Sequence, residues 1–217
     1  CVLAILPTAG CRGFGSVSGE AGGAIQAISL SADPVEYAPR FTEGIYSDEL
    51  TSDLSIFLAD VPFDVVLDDR PEQLQMLRIE LLWEPRPGAT PLDEQATNLS
   101  VRLVIMVNDE VGIYAGGGFA FLKGRVGETI QLTIRDASLR LDTATAGFVD
   151  LLGSSRLTGT VTAAYAPTTT RRVHYAIRQQ LTDTFDRSLL LRRGPAEERR
   201  PDAATTHLAL AGGGPAR

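Results

Sequence analysis

The chain has 217 residues, 44% hydrophobic and 22% charged, with a formal net charge of −7 at pH 7. That length suits one ordinary domain with extensions, and the apolar content excludes a wholly disordered or collagen-like chain. The acidic balance excludes an extended nucleic-acid surface, which needs clustered Lys and Arg against phosphates, so no nucleic-acid partner is expected.

The chain opens on an apolar run, Val2 to Leu6, followed by Thr8-Ala9-Gly10 and then Cys11. Such a run is far too short to cross a bilayer, which takes ~20 apolar residues. Over residues 1–11 it resembles the end of a bacterial lipoprotein signal peptide, with Thr8 where that family usually has Leu and with the family's basic n-region falling before Cys1. The resemblance implies cleavage before Cys11, a diacylglycerol on the Cys11 thiol and acylation of the new amino terminus. Cys11 is therefore the expected lipidation site, and residues 1–10 are a remnant of the signal peptide. Arg12, in place of the Asp that retains such proteins at the inner membrane, implies the outer membrane, facing the periplasm. Residues 11–23 are rich in Gly and Ser and read as a flexible tether. Two other readings stay open: an ordinary N-terminal strand with a chance Ala-Gly-Cys, and lipidation of Cys1, which would set the apolar run where a polar linker belongs. Were the segment retained, Cys1 and Cys11 could pair in an oxidising compartment.

Residues 24–190 are expected to form a single β-rich domain, because a period of two dominates from about 24 to 168. Leu54, Ile56 and Leu58 alternate, and Leu77, Ile79, Leu81 and Trp83 share one strand face opposite Arg78 and Glu80. Val101 to Val107 is apolar at almost every position, as a strand buried on both faces would be. Asn108-Asp109-Glu110 reads as the turn of a hairpin leading to Val111, Ile113 and Ala115. Gly116 to Gly118 lacks the following helix and the Gly-Lys-Ser/Thr of a phosphate loop, which leaves a bulge or a loop at positive φ. Ile130, Leu132 and Ile134 occupy even positions but Leu139 and Leu141 odd ones, predicting a bulge or break at Asp136-Ala137-Ser138.

Residues 145–152 carry Phe148, Val149, Leu151 and Leu152 in a short run expected to be helical, with Thr143 or Thr145 as cap and Gly153 as stop. Leu157, Val161, Ala163 and Tyr165 then alternate with Thr158, Thr160 and Thr162. A longer C-terminal helix is predicted over 170–188, where Val173, Ile177, Leu181 and Phe185 make a stripe and Thr168 to Thr170 offer caps. About eight short strands with these helices late in the chain point to a mainly β fold, an antiparallel β-sandwich or partly open barrel. Residues 191–217 mix charge, Pro and Gly and are expected to be a disordered tail.

Motifs for chemistry are scarce. His174 and His207 have no partner at metal-ligand spacing, and His174 is expected on the solvated side of the late helix. Gly15-Ser16-Val17-Ser18-Gly19 puts Val where a nucleophile elbow needs Ser, and Ala120 stands three before Lys123, where a Ser-x-x-Lys site needs Ser. Glu80 and Glu84 share a strand face but lie ~13 Å apart, beyond the ~5–9.5 Å that glycosidase carboxylates span. Asp68-Asp69 and Asp109-Glu110 read as turn acids. No Asp-x-Asp-x-Asp-Gly loop exists, although the acidic loops 60–72 and 93–98 could offer scattered calcium ligands. Asn98-Leu99-Ser100 is taken as a chance sequon. No catalytic, cofactor-binding or metal residue is assigned, and no cofactor is expected.

The expected function is that of a non-enzymatic cell-envelope lipoprotein, joined to the membrane by its anchor and carrying a β-rich binding or scaffold domain for a protein or an apolar ligand. The alternatives are a carrier of an apolar ligand, held in a cavity between the layers, and a hydrolase using dispersed carboxylates. An apolar pocket would favour the carrier and converging carboxylates the enzyme.

Overall fold

Side chains that alternate between apolar and polar need two environments, and a curved sheet supplies them by facing inward and outward in turn. In a computed structural model, which describes residues 21–50, 54–68, 71–83 and 97–186, the alternating segments are strands. They are β1 (Gly22–Ser29), β2 (Glu36–Tyr37), β3 (Arg40–Phe41), β4 (Glu43–Ser47), β5 (Leu54–Ala59), β6 (Gln73–Leu81), β7 (Leu99–Val107), β8 (Glu110–Lys123), β9 (Ile130–Ala144) and β10 (Ser155–Tyr165), with helices α1 (Phe63–Asp68) and α2 (Pro167–Phe185).

Strands β4 to β9 form an antiparallel meander. β10 pairs with β9 along most of its length, and at its end Ala164 and Tyr165 pair in parallel with Ile45 and Tyr46 of β4. That short contact closes the ring. β1 occupies the rest of the same β10 edge, from Gly22 opposite Thr162 to Ser29 opposite Ser155, and carries β2 and β3 on its outer side. The architecture is thus the expected mainly β one, a barrel closed over only a short stretch.

The barrel interior is filled by Ile25, Ile56, Leu58, Leu77, Ile79, Val101, Leu103, Tyr114, Ile134, Leu157 and their neighbours. The intervening residues of β5 to β8, among them Phe57, Met76, Val104, Met106 and Ile113, make a second apolar layer outside the barrel. α1 and α2 cover it with Phe63, Val66, Val173, Ile177 and Leu181. This two-sided burial is why β5 is buried at every position and why β7 reads as an almost continuous apolar run.

α2 starts three residues before the predicted position, with Pro167 in its first turn, where a missing N–H costs nothing. The predicted threonine cap is not used; instead Thr170 donates both its N–H and its hydroxyl to the Ala166 carbonyl, at 2.8 and 2.7 Å. Asp186, at φ 52°, ends the helix.

The short helix lies at Phe63–Asp68, not at 145–152, which is a loop. Its apolar residues do not line a helix face. Thr145 is held to β8 by its N–H to the Val111 carbonyl and by Val111 N–H to Thr145 Oγ1, both 2.9 Å, and Asp150 Oδ1 takes the N–H groups of Leu152 and Gly153. These tertiary bonds outcompete a one-turn helix, whose nucleation is costly.

The phase slip expected at 136–138 is a bulge at Arg135–Asp136: Phe119 faces Asp136 but Ala120 faces Ile134. Gly116 to Gly118 are neither a loop nor at positive φ; they lie within β8. A Cβ on Gly116 would sit 1.6 Å from the Ser138 carbonyl oxygen, and one on Gly118 2.0 Å from that of Asp136. Glycine is there because the bulged β9 presses on it. Gly22 and Gly23, which composition alone assigns to the tether, belong to β1. In the β7–β8 hairpin Val107 pairs with Glu110, so the turn is Asn108-Asp109, with Asn108 at φ 56°.

Candidate functional site

The β7–β8 turn, the β9–β10 loop and the β1–β2 connection meet at one end of the barrel. Here the interior opens into a cavity of about 520 Å³. Its walls are Tyr37 from β2, Ile105 and Val107 from the end of β7, Tyr114 from β8, and Phe148 and Leu152 from the β9–β10 loop. Tyr114 and Leu152 belong to the barrel core, and Tyr37, Ile105 and Phe148 pack against it. The cavity floor is therefore the top of that core. Around the opening stand exposed apolar side chains, Val35, Val107, Val149 and Leu151, the last two 68% and 69% exposed.

The walls are fixed by polar bonds behind them. Phe148 rests on Gly112, where a Cβ would meet its ring at 2.1 Å, and stands edge-on to Tyr114 at 6.3 Å. The Tyr114 hydroxyl donates to Asp150 Oδ1 at 2.7 Å, while that of Tyr37 donates to Gln75 Oε1. Burial, reinforced by Asp150 for Tyr114 and by Asp60 for Tyr37, pushes both phenols above their ordinary range. They stay neutral and orient the walls. Glu110 Oε2 accepts from the Thr145 hydroxyl and from Gly147 N–H, pinning the loop over the opening.

The opposite end is shut. The buried Tyr46 hydroxyl donates to the Glu128 carbonyl at 2.6 Å and accepts from Gly127 N–H at 2.9 Å, tying the β8–β9 turn across it.

His174 corrects an expectation. It is 7% exposed rather than solvated, because the buried face of α2 includes positions 170 and 174 beside the 173–177–181 stripe. Its ring stands edge-on to Phe57 at 6.2 Å, and the Arg78 guanidinium, on the same outer face of the barrel, lies 5.7 Å from the Phe57 centroid and 2.5 Å from Glu80. Burial, then Arg78 and Arg178, hold the His174 pKa down at about 4. The unfolded chain, with His near 6.5, binds more protons between those values, so stability should fall as pH drops from about 6.5 to about 4, by on the order of 2–3 kcal/mol, and be independent of His174 above 6.5. Urea melts of the parent and His174→Gln across this range should differ by that slope; parallel curves would refute it.

The other sequence candidates do not converge. Glu80 pairs with Arg78 outside the barrel, Asp68 ends α1, Asp109 sits in the β7–β8 turn, and Glu110 is committed to the loop. Among the described residues no three His, Cys, Asp or Glu side chains are grouped to hold a metal ion. Asn98 is fully buried, its amide donating to the Ala120 carbonyl and accepting from Ala120 N–H, both 2.8 Å, so its sequon is not open to a glycan. Cys11, residues 1–10, the tether up to Glu20, Asp69, Glu84, His207 and the tail lie outside the described residues.

The mouth itself escaped sequence reasoning, since its walls come from segments far apart in the chain. One signal was present: Val149 to Leu152 is apolar on both sides of Asp150, with no polar face for a helix to turn outward. No helix among the described residues is long and apolar enough to cross a membrane. No family model, no curated protein and no solved structure matches the chain.

Proposed function

We propose that this is a non-enzymatic binding protein of the bacterial cell envelope, anchored by lipid on Cys11 at the outer membrane, whose barrel mouth receives an apolar ligand. The observation that carries the ligand reading is the open cavity of about 520 Å³ walled by Tyr37, Ile105, Tyr114, Phe148 and Leu152. Its volume lies within the ~300–1,000 Å³ of small-molecule sites. The exposed Val149 and Leu151 on its rim are the kind of apolar surface that a bound partner covers. The filled interior below the floor limits the ligand to the mouth, and the carboxylates nearby, Glu110 and Asp150, already hold the loop together.

Protein purified without detergent should retain a small apolar molecule detectable by native mass spectrometry, and should bind an environment-sensitive apolar fluorophore. Leu151→Asp, on the exposed rim, should weaken the fluorophore by ~10-fold or more, since a charge must be desolvated against it, with the melting temperature nearly unchanged. Equal affinity in parent and variant would end the mouth reading. The anchor is tested separately in the complete precursor expressed in a bacterium: Cys11→Ala should lose acylation and membrane association, and Cys1→Ala should keep both.

A further inference from the structure

The chemistry of the mouth goes further than its hydrophobicity, provided that it takes an apolar ligand at all. We infer that it selects an amphiphile bearing a cationic group over one bearing an anionic group. Two carboxylates, Glu36 and Glu110, lie on the cavity lining, and among the described residues that line it there is no Arg, Lys or His. Glu110 is held in place by Thr145 and Gly147, and Glu36 by Gln26 Nε2 at 2.7 Å.

An anionic headgroup would need donors, and the two wall hydroxyls are already spent, Tyr37 on Gln75 and Tyr114 on Asp150. Gly147 N–H is spent on Glu110. A carboxylate or phosphate entering here would face two negative charges with the exposed Asn108 amide as the side-chain donor left in the lining and most of its hydrogen bonds to water unreplaced, which is costly in a partly desolvated site. A cation meets the reverse arrangement. Tyr37, Tyr114 and Phe148 give the cavity an aromatic lining, the kind of wall that suits an ammonium group, most effectively a quaternary one that has no N–H to satisfy. The two carboxylates add attraction, and the net charge of −7 draws cations toward the molecule from further away. The apolar chain of the ligand then lies against Ile105 and Leu152 and out over Val149 and Leu151.

The test uses three probes with one chain length, dodecyltrimethylammonium, dodecanol and dodecanoate, each titrated calorimetrically below its micelle concentration. The cation should bind at one molecule per chain and at least ~10-fold tighter than dodecanoate at low salt. The gap should narrow in ~1 M NaCl, where the screening length falls to about 3 Å. Glu36→Gln combined with Glu110→Gln should narrow it as well, by weakening the cation and strengthening dodecanoate, because Gln removes the charge and keeps an acceptor for the loop. Dodecanoate binding as tightly as the cation, or a gap that the double substitution does not alter, overturns the charge preference while the apolar reading stands. If none of the three binds, the apolar reading falls and this inference with it.

Discussion

Replacing Ile177 by Asp should cost about 4 kcal/mol or more, a large fraction of the stability of an ordinary domain. Ile177 is 1% exposed and sits between Val173 and Leu181, where α2 lies on the outer apolar layer of β4 to β8. Arg78, the cation lying over Phe57 of that layer, is already paired with Glu80, so the new group would be buried without a partner or would pull the helix off the sheet. Ile177→Val, which keeps the shape and loses a methylene, should cost only about 1 kcal/mol. Equilibrium urea unfolding measures both. If the Asp variant unfolds at the parental midpoint, the helix is not packed through this stripe.

Gly116→Ala should be nearly as damaging, at about 3 kcal/mol or more, although it adds one methyl group. The new Cβ would lie 1.6 Å from the backbone oxygen of Ser138. A backbone atom in a paired strand cannot rotate away as a side chain can, so β8 and β9 must separate locally. Gly127→Ala is the informative contrast. Gly127 has φ 92° but nothing within 4 Å of its would-be Cβ, so its cost is conformational only, about 1 kcal/mol. Thermal melts that rank Gly127→Ala as the worse of the two would contradict the close approach of β9 to β8.

These two sites also mark what the sequence can and cannot express. The Ile177 stripe was legible because a 3.6-residue period is a property of neighbouring positions, and so was the two-residue period of Leu54 to Leu58 and Leu77 to Leu81. The bulge in β9 showed as a change of parity between Ile134 and Leu139. The glycines of β8 were visible but their cause was not, since the oxygen that excludes a side chain at Gly116 comes from a different strand. The same limit applies to His174: spacing alone placed it on the solvated side of the helix, and only the packing of α2 on Phe57 decided that it is buried. Residues 145–152 misled because consecutive apolar side chains serve a helix face and the lid of a core equally well. α1 spans six residues, too few to display a period. The mouth is the extreme case, assembled from the chain around Tyr37, Ile105, Tyr114 and Phe148, each of which reads locally as ordinary core.

The seam of the barrel carries a consequence for biogenesis. β1 is synthesised first, yet its main partner is β10, with Gly22 opposite Thr162, and the parallel closure on β4 waits for Ala164 and Tyr165. A chain that is exported or translated from its N-terminus must therefore hold β1 as an open edge, with Ile25 and Ala27 uncovered, until almost the whole domain has emerged. The hairpins from β4 to β9 can assemble by local contacts while it waits, but their ring cannot shut, and closure between such distant segments is the slow kind of contact to form. Nascent chains interrupted before β10 would present the unpaired edges of β1, β4 and β9 at once, so this is the window in which the protein most depends on assistance against mispairing.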